Sequence, residues 1–140
     1  MILLDTHVWV WWVQGDTRLH QSVVEFLDGL PAKSVAVSAI SFWEIALLSR
    51  RGRINLPDAP DVWLEIAATD PRLDVLSVTP EVAVCAAMLP ENHKDPADRI
   101  LIAHAIIGGH TLITEDAAIH SYENVRTLRP AALISESPNG

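Results

Sequence analysis

The stretch His93-Lys94-Asp95-Pro96-Ala97-Asp98-Arg99-Ile100-Leu101-Ile102-Ala103-His104-Ala105 decides how the rest of the chain is read. Locally it is a helix start. Asp95 suits the N-cap, Pro96 the first helical position, and Asp98 the first turn, where an acid complements the helix dipole. The apolar run continues through Ile107, so the helix is expected to be buried on most sides. Gly108-Gly109 ends it, and Thr111-Leu112-Ile113-Thr114 reads as a short buried strand that closes on Glu115-Asp116. If the helix packs on its own strand, its N-terminus lies near the strand's C-terminal end, and Asp98 and Asp116 meet at one sheet edge. Each acid also has an ordinary reading, Asp98 as dipole partner and Asp116 as cap of the next turn.

The same layout recurs toward the N-terminus. Ile2-Leu3-Leu4 reads as a buried strand that ends at Asp5-Thr6. Val8 to Val13 is aromatic-dense and reads as core; Trp11 and Trp12 are adjacent and cannot share one helix face, which assigns one of them to an interface. Residues 16–30 form an amphipathic pattern, and 34–38 a second strand. Ser41-Phe42-Trp43-Glu44 has the spacing of a capping box, which puts Glu44 in the first turn of a helix ending at Arg50-Arg51-Gly52-Arg53. Those arginines complement the helix end or, beside an acidic cleft, hold a phosphate backbone. A helix over 61–69, a strand around 75–78, a helix capped by Thr79 with Pro80 at its first position, and a short strand at 125–128 complete the pattern.

Short strands alternating with helices predict an α/β fold: a parallel sheet covered on both faces, with ligands bound outside the carboxyl ends of the strands. Asp5, Glu44, Asp98 and Asp116 all fall at that edge. The 140 residues, 49% of them hydrophobic, suit one domain over residues 1–134, with a polar, flexible tail at 135–140. A net charge of −8, from 18 acids against 10 bases, argues against a protein that coats nucleic acid nonspecifically. It leaves a nuclease open, because carboxylates gathered around metal ions account for part of the excess. The lone Cys85 cannot form an internal disulfide; it reads as a buried helix cysteine in a reducing, cytoplasmic protein. No signal peptide or run of membrane-spanning length is read.

Carboxylates crowded in one cleft raise each other's pKa unless a cation intervenes, and oxygen donors without thiolates select Mg²⁺ or Mn²⁺. The six histidines show no zinc-type pairing; His7 and His93 lie near the proposed site but read as solvated loop residues.

At this point a resemblance becomes specific. Leu3-Leu4-Asp5-Thr6-His7, Ser38-x-x-Ser41-x-x-Glu44-Ile45-Ala46, His93-x-Asp95-Pro96-Ala97-Asp98-Arg99-Ile100-Leu101-Ile102-Ala103 and Leu112-Ile113-Thr114-Glu115-Asp116 resemble, in order and over nearly the whole chain, the four motifs of PIN domains. More narrowly, they resemble the VapC-type toxins of toxin–antitoxin pairs. The resemblance implies a three-layer α/β/α sandwich around a short parallel sheet and a Mg²⁺- or Mn²⁺-dependent endoribonuclease that cuts RNA. It also implies homodimers and a small cognate antitoxin. It maps catalytic, metal-holding carboxylates onto Asp5, Glu44, Asp98 and Asp116, with Thr6 and Thr114 as hydroxyl neighbours. Asp116 is preferred to Glu115 because it stands two residues after Thr114. Ala97 departs from the pattern, since a large aromatic commonly stands between the two aspartates. A haloacid-dehalogenase-like phosphatase would need an aspartate where His7 stands. A receiver-like domain would need a lysine near Thr114-Glu115-Asp116. The non-enzymatic alternative is an inactive PIN-like binding module, which the loss of an acid would support.

Overall fold

The computed structural model describes residues 1–135; of the flexible tail expected at 135–140, Ser135 ends the last helix and 136–140 lie outside the described residues. In chain order the elements are β1 (Ile2–Leu4), α1 (Thr6–Gln14), α2 (Gln21–Asp28), β2 (Val35–Ser38), α3 (Ala39–Arg50), α4 (Pro60–Ala67), β3 (Leu73–Leu76), α5 (Pro80–Met88), α6 (Pro96–Gly108), β4 (Thr111–Ile113), α7 (Ala117–His120), β5 (Thr127–Leu128) and α8 (Ala132–Ser135). The strands form one sheet in the order β3-β2-β1-β4-β5, and every pairing is parallel. The chain builds outward from β1 through β2 to β3, then returns to the other side of β1 with β4. The C-terminal ends of β1 and β4 therefore flank the point where strand order reverses, the usual place for a ligand crevice in such a sheet.

The period of two along each strand separates the layers. Leu4, Val35, Val37, Leu73 and Ile113 face a core completed by Trp9, Val23, Leu27, Ile45 and Trp63 from α1, α2, α3 and α4. Leu3, Ala36 and Leu112 face the opposite side, against Leu101, Ile102, Ala105 and Ile119 of α6 and α7. α5 packs outside α6 through Val82, Ala86 and Ala103. This is the expected three-layer arrangement.

The α6 start is built as its sequence predicts. Asp95 Oδ1 accepts from the N–H of Ala97 and of Asp98, at 2.9 and 3.2 Å, and Gly109 ends the helix with φ of 65°. Thr79 caps α5 by accepting from Val82 N–H, with Pro80 in its first turn. Ala97 is 1% exposed, so the small side chain is enclosed where an aromatic was expected.

Four expectations need correction. The helix expected over 16–30 starts at Gln21, because Asp16 is bound to the backbone N–H and guanidinium of Arg18 in a separate turn, and His20 takes the N-cap. Ser41 does not cap α3. β2 runs into the helix without a loop, Ser38 is the cap, and Ser41 lies buried inside α3, bonded to Thr6 Oγ1 at 2.8 Å. Glu44 therefore sits in the second turn, its side chain released from capping. Five tryptophans are more than a modest core would need and on count alone suggest an interface, yet Trp9, Trp12 and Trp63 are core residues; Trp43 is 54% exposed. Cys85 is only partly buried, on the outer helix α5.

Candidate active site at the carboxyl edge of the sheet

Each predicted acid reaches the switch-point edge by its own route. Asp5 follows β1 directly; its backbone N–H bonds Ile113 O at 3.0 Å, which extends the β1–β4 pairing by one step. It stands at the N-cap of α1, yet its carboxylate makes no cap hydrogen bond. Instead Oδ2 accepts from the Thr114 hydroxyl at 2.5 Å, and Thr114 Oγ1 in turn accepts from Asp116 N–H at 3.0 Å. One buried hydroxyl thus ties the ends of β1 and β4 together. Glu44 arrives from α3, Asp98 from the first turn of α6 and Asp116 from the N-cap of α7.

All four acids line a cavity of about 430 Å³, with Asp95 and Glu115 at its margin. One donor atom each from Glu44, Asp95 and Asp98 lie within 4.8 Å of one another, as do donors from His93, Asp98 and Asp116, so Asp98 joins the two groups. Asp116 divides its carboxylate: Oδ1 caps α7 through Ala118 N–H at 2.8 Å, and Oδ2 faces His93. The residue therefore caps α7 with one oxygen and leaves the other at the cavity. Glu115 is exposed and lies 3.6 Å from Arg129, consistent with the choice of Asp116.

The cluster is short of positive charge. Burial, together with Asp5, Asp95, Glu44 and Asp116, pushes the Asp98 carboxyl up to about 8. Burial also raises Asp5, against the lowering effect of the Thr114 hydroxyl, and raises Glu44, whose Oε1 is buried with no hydrogen-bond partner. Closely spaced carboxylates, one orphaned oxygen among them, form a donor set that a hard divalent cation fits. A larger cavity of about 630 Å³ between Trp12, Ile66 and Arg72 lacks this property, because its Asp28 and Asp70 are paired with Arg72 at 3.3 and 2.8 Å.

One side chain escaped the sequence reading. His93 is not a solvated loop residue: its Nε2 lies 2.7 Å from Asp98 Oδ2 and 3.3 Å from Asp116 Oδ2. The signal for it was its place two residues before Asp95, which becomes meaningful only once the loop before α6 is held by Tyr122 and Arg99. His7 is exposed as expected, but it sits in the first turn of α1, beside Trp11 at the cavity wall.

The PIN domain family model matches residues 2–125. The chain belongs to the PIN domain family. Among its relatives, Ribonuclease VapC22 of Mycobacterium tuberculosis is 36% identical over 126 residues, which cover 89% of this chain and 94% of that protein. Solved structures share the PIN fold at lower identity. FitAcB of Neisseria gonorrhoeae superposes with a TM-score of 0.66 at 23% identity, covering 94% of this chain and 99% of that one. VapBC2 of Rickettsia felis, bound to a DNA fragment from its promoter, gives 0.66 at 17% identity over 92% and 98%. The chain thus spans nearly the whole length of these PIN domain proteins, and the acid-lined edge lies within the matched region.

Proposed function

We propose that this PIN domain is an endoribonuclease that hydrolyses RNA phosphodiester bonds with a divalent cation, Mg²⁺ or Mn²⁺, and that it is the toxin of a toxin–antitoxin pair. The observation that carries the reading is the convergence of Asp5, Glu44, Asp98 and Asp116 on one cavity with no lysine or arginine among its lining residues. The similarity to a ribonuclease of the VapC type supports it. In this reading the four carboxylates hold the cation, which when bound lowers the pKa of water and offsets the charge that develops on the reacting phosphate. The chain's own residues build that site: Thr114 fixes Asp5 against Asp116, and Asp95 holds the α6 terminus so that Asp98 faces inward. No acid of the set is missing, so nothing favours an inactive binding module. The test is cleavage of a mixed RNA pool with Mg²⁺ or Mn²⁺ and with EDTA.

An acidic cleft repels RNA, so the backbone has to be held beside it. A second cavity of about 340 Å³ shares His7 and Trp11 with the first and is lined by Arg18 and Arg53. Arg18 lies over the Trp11 ring at 5.5 Å and is paired with Asp16, whereas Arg53 is exposed. We expect Arg53→Glu, in a chain made inactive by Asp98→Asn, to weaken RNA binding about tenfold. It should also reduce the slope of log K against log salt by ~0.7, the loss of one phosphate contact. Binding titrations at several salt concentrations check this, and an unchanged slope contradicts it.

The homodimer reading rests on Trp43 of α3 and on Val84 and Met88 of α5, which are 54, 63 and 78% exposed. Sedimentation at micromolar concentration should show a dimer that Trp43→Glu converts to monomer; a monomeric wild type contradicts the reading. The cognate antitoxin would reach the cleft with an Arg or Lys paired to these carboxylates, so the complex should form more weakly with Asp98→Asn.

No helix among the described residues is long and apolar enough to cross a membrane.

A further inference from the structure

Arg99 follows the acids of α6 by one position, yet it makes no ion pair with them. Its five N–H groups meet five backbone carbonyls: Nε reaches Ala86 O at 3.0 Å, Nη1 reaches Pro90 O at 3.0 Å and His93 O at 2.9 Å, and Nη2 reaches Ala87 O at 3.3 Å and Leu89 O at 2.8 Å. α5 ends at Met88 and Leu89 is extended, so the carbonyls of its last turn lack helical partners. The planar guanidinium supplies them and binds the loop beyond. From the other side the Tyr122 hydroxyl accepts from His93 N–H at 3.0 Å and donates to Pro90 O at 2.9 Å. A surface loop is thereby fixed at both ends of residues 90–93.

What this loop delivers is the His93 ring. Asp95 N–H points at Nδ1 at 3.3 Å, which makes that nitrogen the acceptor and leaves the ring proton on Nε2. Nε2 is the atom that faces Asp98 Oδ2 at 2.7 Å and Asp116 Oδ2 at 3.3 Å. A nitrogen that carries a proton has no lone pair to offer a cation. We propose that His93 is a positioning residue of the cation site, its Nε2 hydrogen-bonded to Asp116 and in close contact with Asp98 so that it sets which of their oxygens face the cavity, and that Arg99 builds the loop that holds it there. The inference rests on the reading of the four acids as a cation site. A second layer of hydrogen bonds of this kind commonly changes metal affinity by about 10–100-fold.

The test measures Mn²⁺ binding to the full chain without RNA, by the loss of the free-ion electron paramagnetic resonance signal. Spin-echo modulation of the bound ion adds a readout for coordinated nitrogen. The wild type should bind Mn²⁺ and show no directly coordinated ¹⁴N. His93→Ala should weaken binding at least tenfold. His93→Gln, whose amide N–H can donate to one acid, should recover part of that loss. Arg99→Lys, with three donors and no planar fork, should weaken binding several-fold. His93→Ala binding as tightly as the wild type overturns the proposal, and so does a ¹⁴N coupling in the wild type that His93→Ala removes, since that would make His93 a ligand. If His93→Ala does not fold, His93→Gln carries the test: affinity equal to the wild type with a coordinated ¹⁴N signal lost overturns it, and a smaller affinity loss without any such signal supports it. Loss of binding in Asp98→Asn alone overturns only the role of His93. No Mn²⁺ binding by the wild type overturns the four-acid reading together with it.

Discussion

Asp98→Asn should lower RNA cleavage by about a thousandfold, a loss of about 4 kcal/mol of transition-state stabilisation, while making the metal-free protein more stable than the wild type at pH 7. The two halves of this expectation have one cause. The Asp98 carboxyl is pushed up to about 8 by burial and by Asp5, Asp95, Glu44 and Asp116, so without a cation it is largely protonated at neutral pH. Asparagine has the same shape and is neutral in the unfolded chain as well, so it folds without having to take up a proton. The advantage of the variant should grow as pH rises from 3.8 to about 8, where the wild type must take up a proton to fold, and level off above that. What asparagine cannot supply is the negative charge that a bound cation calls out of this carboxyl. The melting shift produced by Mn²⁺ should therefore shrink in the variant. Melting curves with and without Mn²⁺, beside a cleavage assay, check both halves. Full cleavage with an unchanged Mn²⁺ shift would reduce Asp98 to a partner of the α6 dipole.

The second large effect is a fall in metal-free stability as pH rises from about 6.5 to 8, removed by Mg²⁺ or Mn²⁺. An acid whose pKa is raised on folding keeps its proton in the folded state after the unfolded chain has lost it, so stability declines with pH across the interval between the two values. For Asp98 that interval runs from the ordinary 3.8 to about 8. Asp5 and Glu44 are raised as well and act with the same sign. His104 and His110 are lowered from 6.5 by burial and act oppositely, but they do so below 6.5. Between 6.5 and 8 the acids act alone, and Asp98 contributes about 2 kcal/mol of lost stability, a drop of several degrees in Tm. A bound cation holds the carboxylates ionised at every pH in the interval and flattens the curve. Thermal melts in EDTA across this range, repeated with Mg²⁺, check the sign. A metal-free curve that is flat or rises would contradict the crowding of these acids.

Much of this site was legible because its parts are local. Asp95, Pro96 and Asp98 announce the start of α6 by capping chemistry, and Asp5 and Asp116 each follow a short apolar strand. The parallel sheet then follows from the alternation of strands and helices, and the meeting of the acids follows from the sheet. Glu44 was placed at the right edge for a partly wrong reason. Its spacing from Ser41 fits a capping box, but β2 passes straight into α3 and the cap is Ser38, which frees the glutamate. His93 was legible only as a residue near the site, not as a partner of its acids. Its role depends on a loop held by Arg99 and Tyr122, and neither contact leaves a periodic or capping signature in the sequence. The tryptophan count was too coarse to choose among the five. A count cannot tell that Trp9 and Trp63 pack on each other, with ring centroids 6.1 Å apart, while Trp43 points outward.

The most direct test of the account is the chemistry of the RNA ends left by the purified chain. The four-acid site calls for attack by water along the line of the leaving oxygen, which leaves a 5′-phosphate and a 3′-hydroxyl and requires a divalent cation. Attack by the RNA's own 2′-hydroxyl needs no such site and leaves a 2′,3′-cyclic phosphate. The account predicts 5′-phosphate and 3′-hydroxyl ends with Mg²⁺ or Mn²⁺, none in EDTA, and none above background from Asp98→Asn. Cleavage that persists in EDTA, or that leaves cyclic phosphate ends, would contradict it.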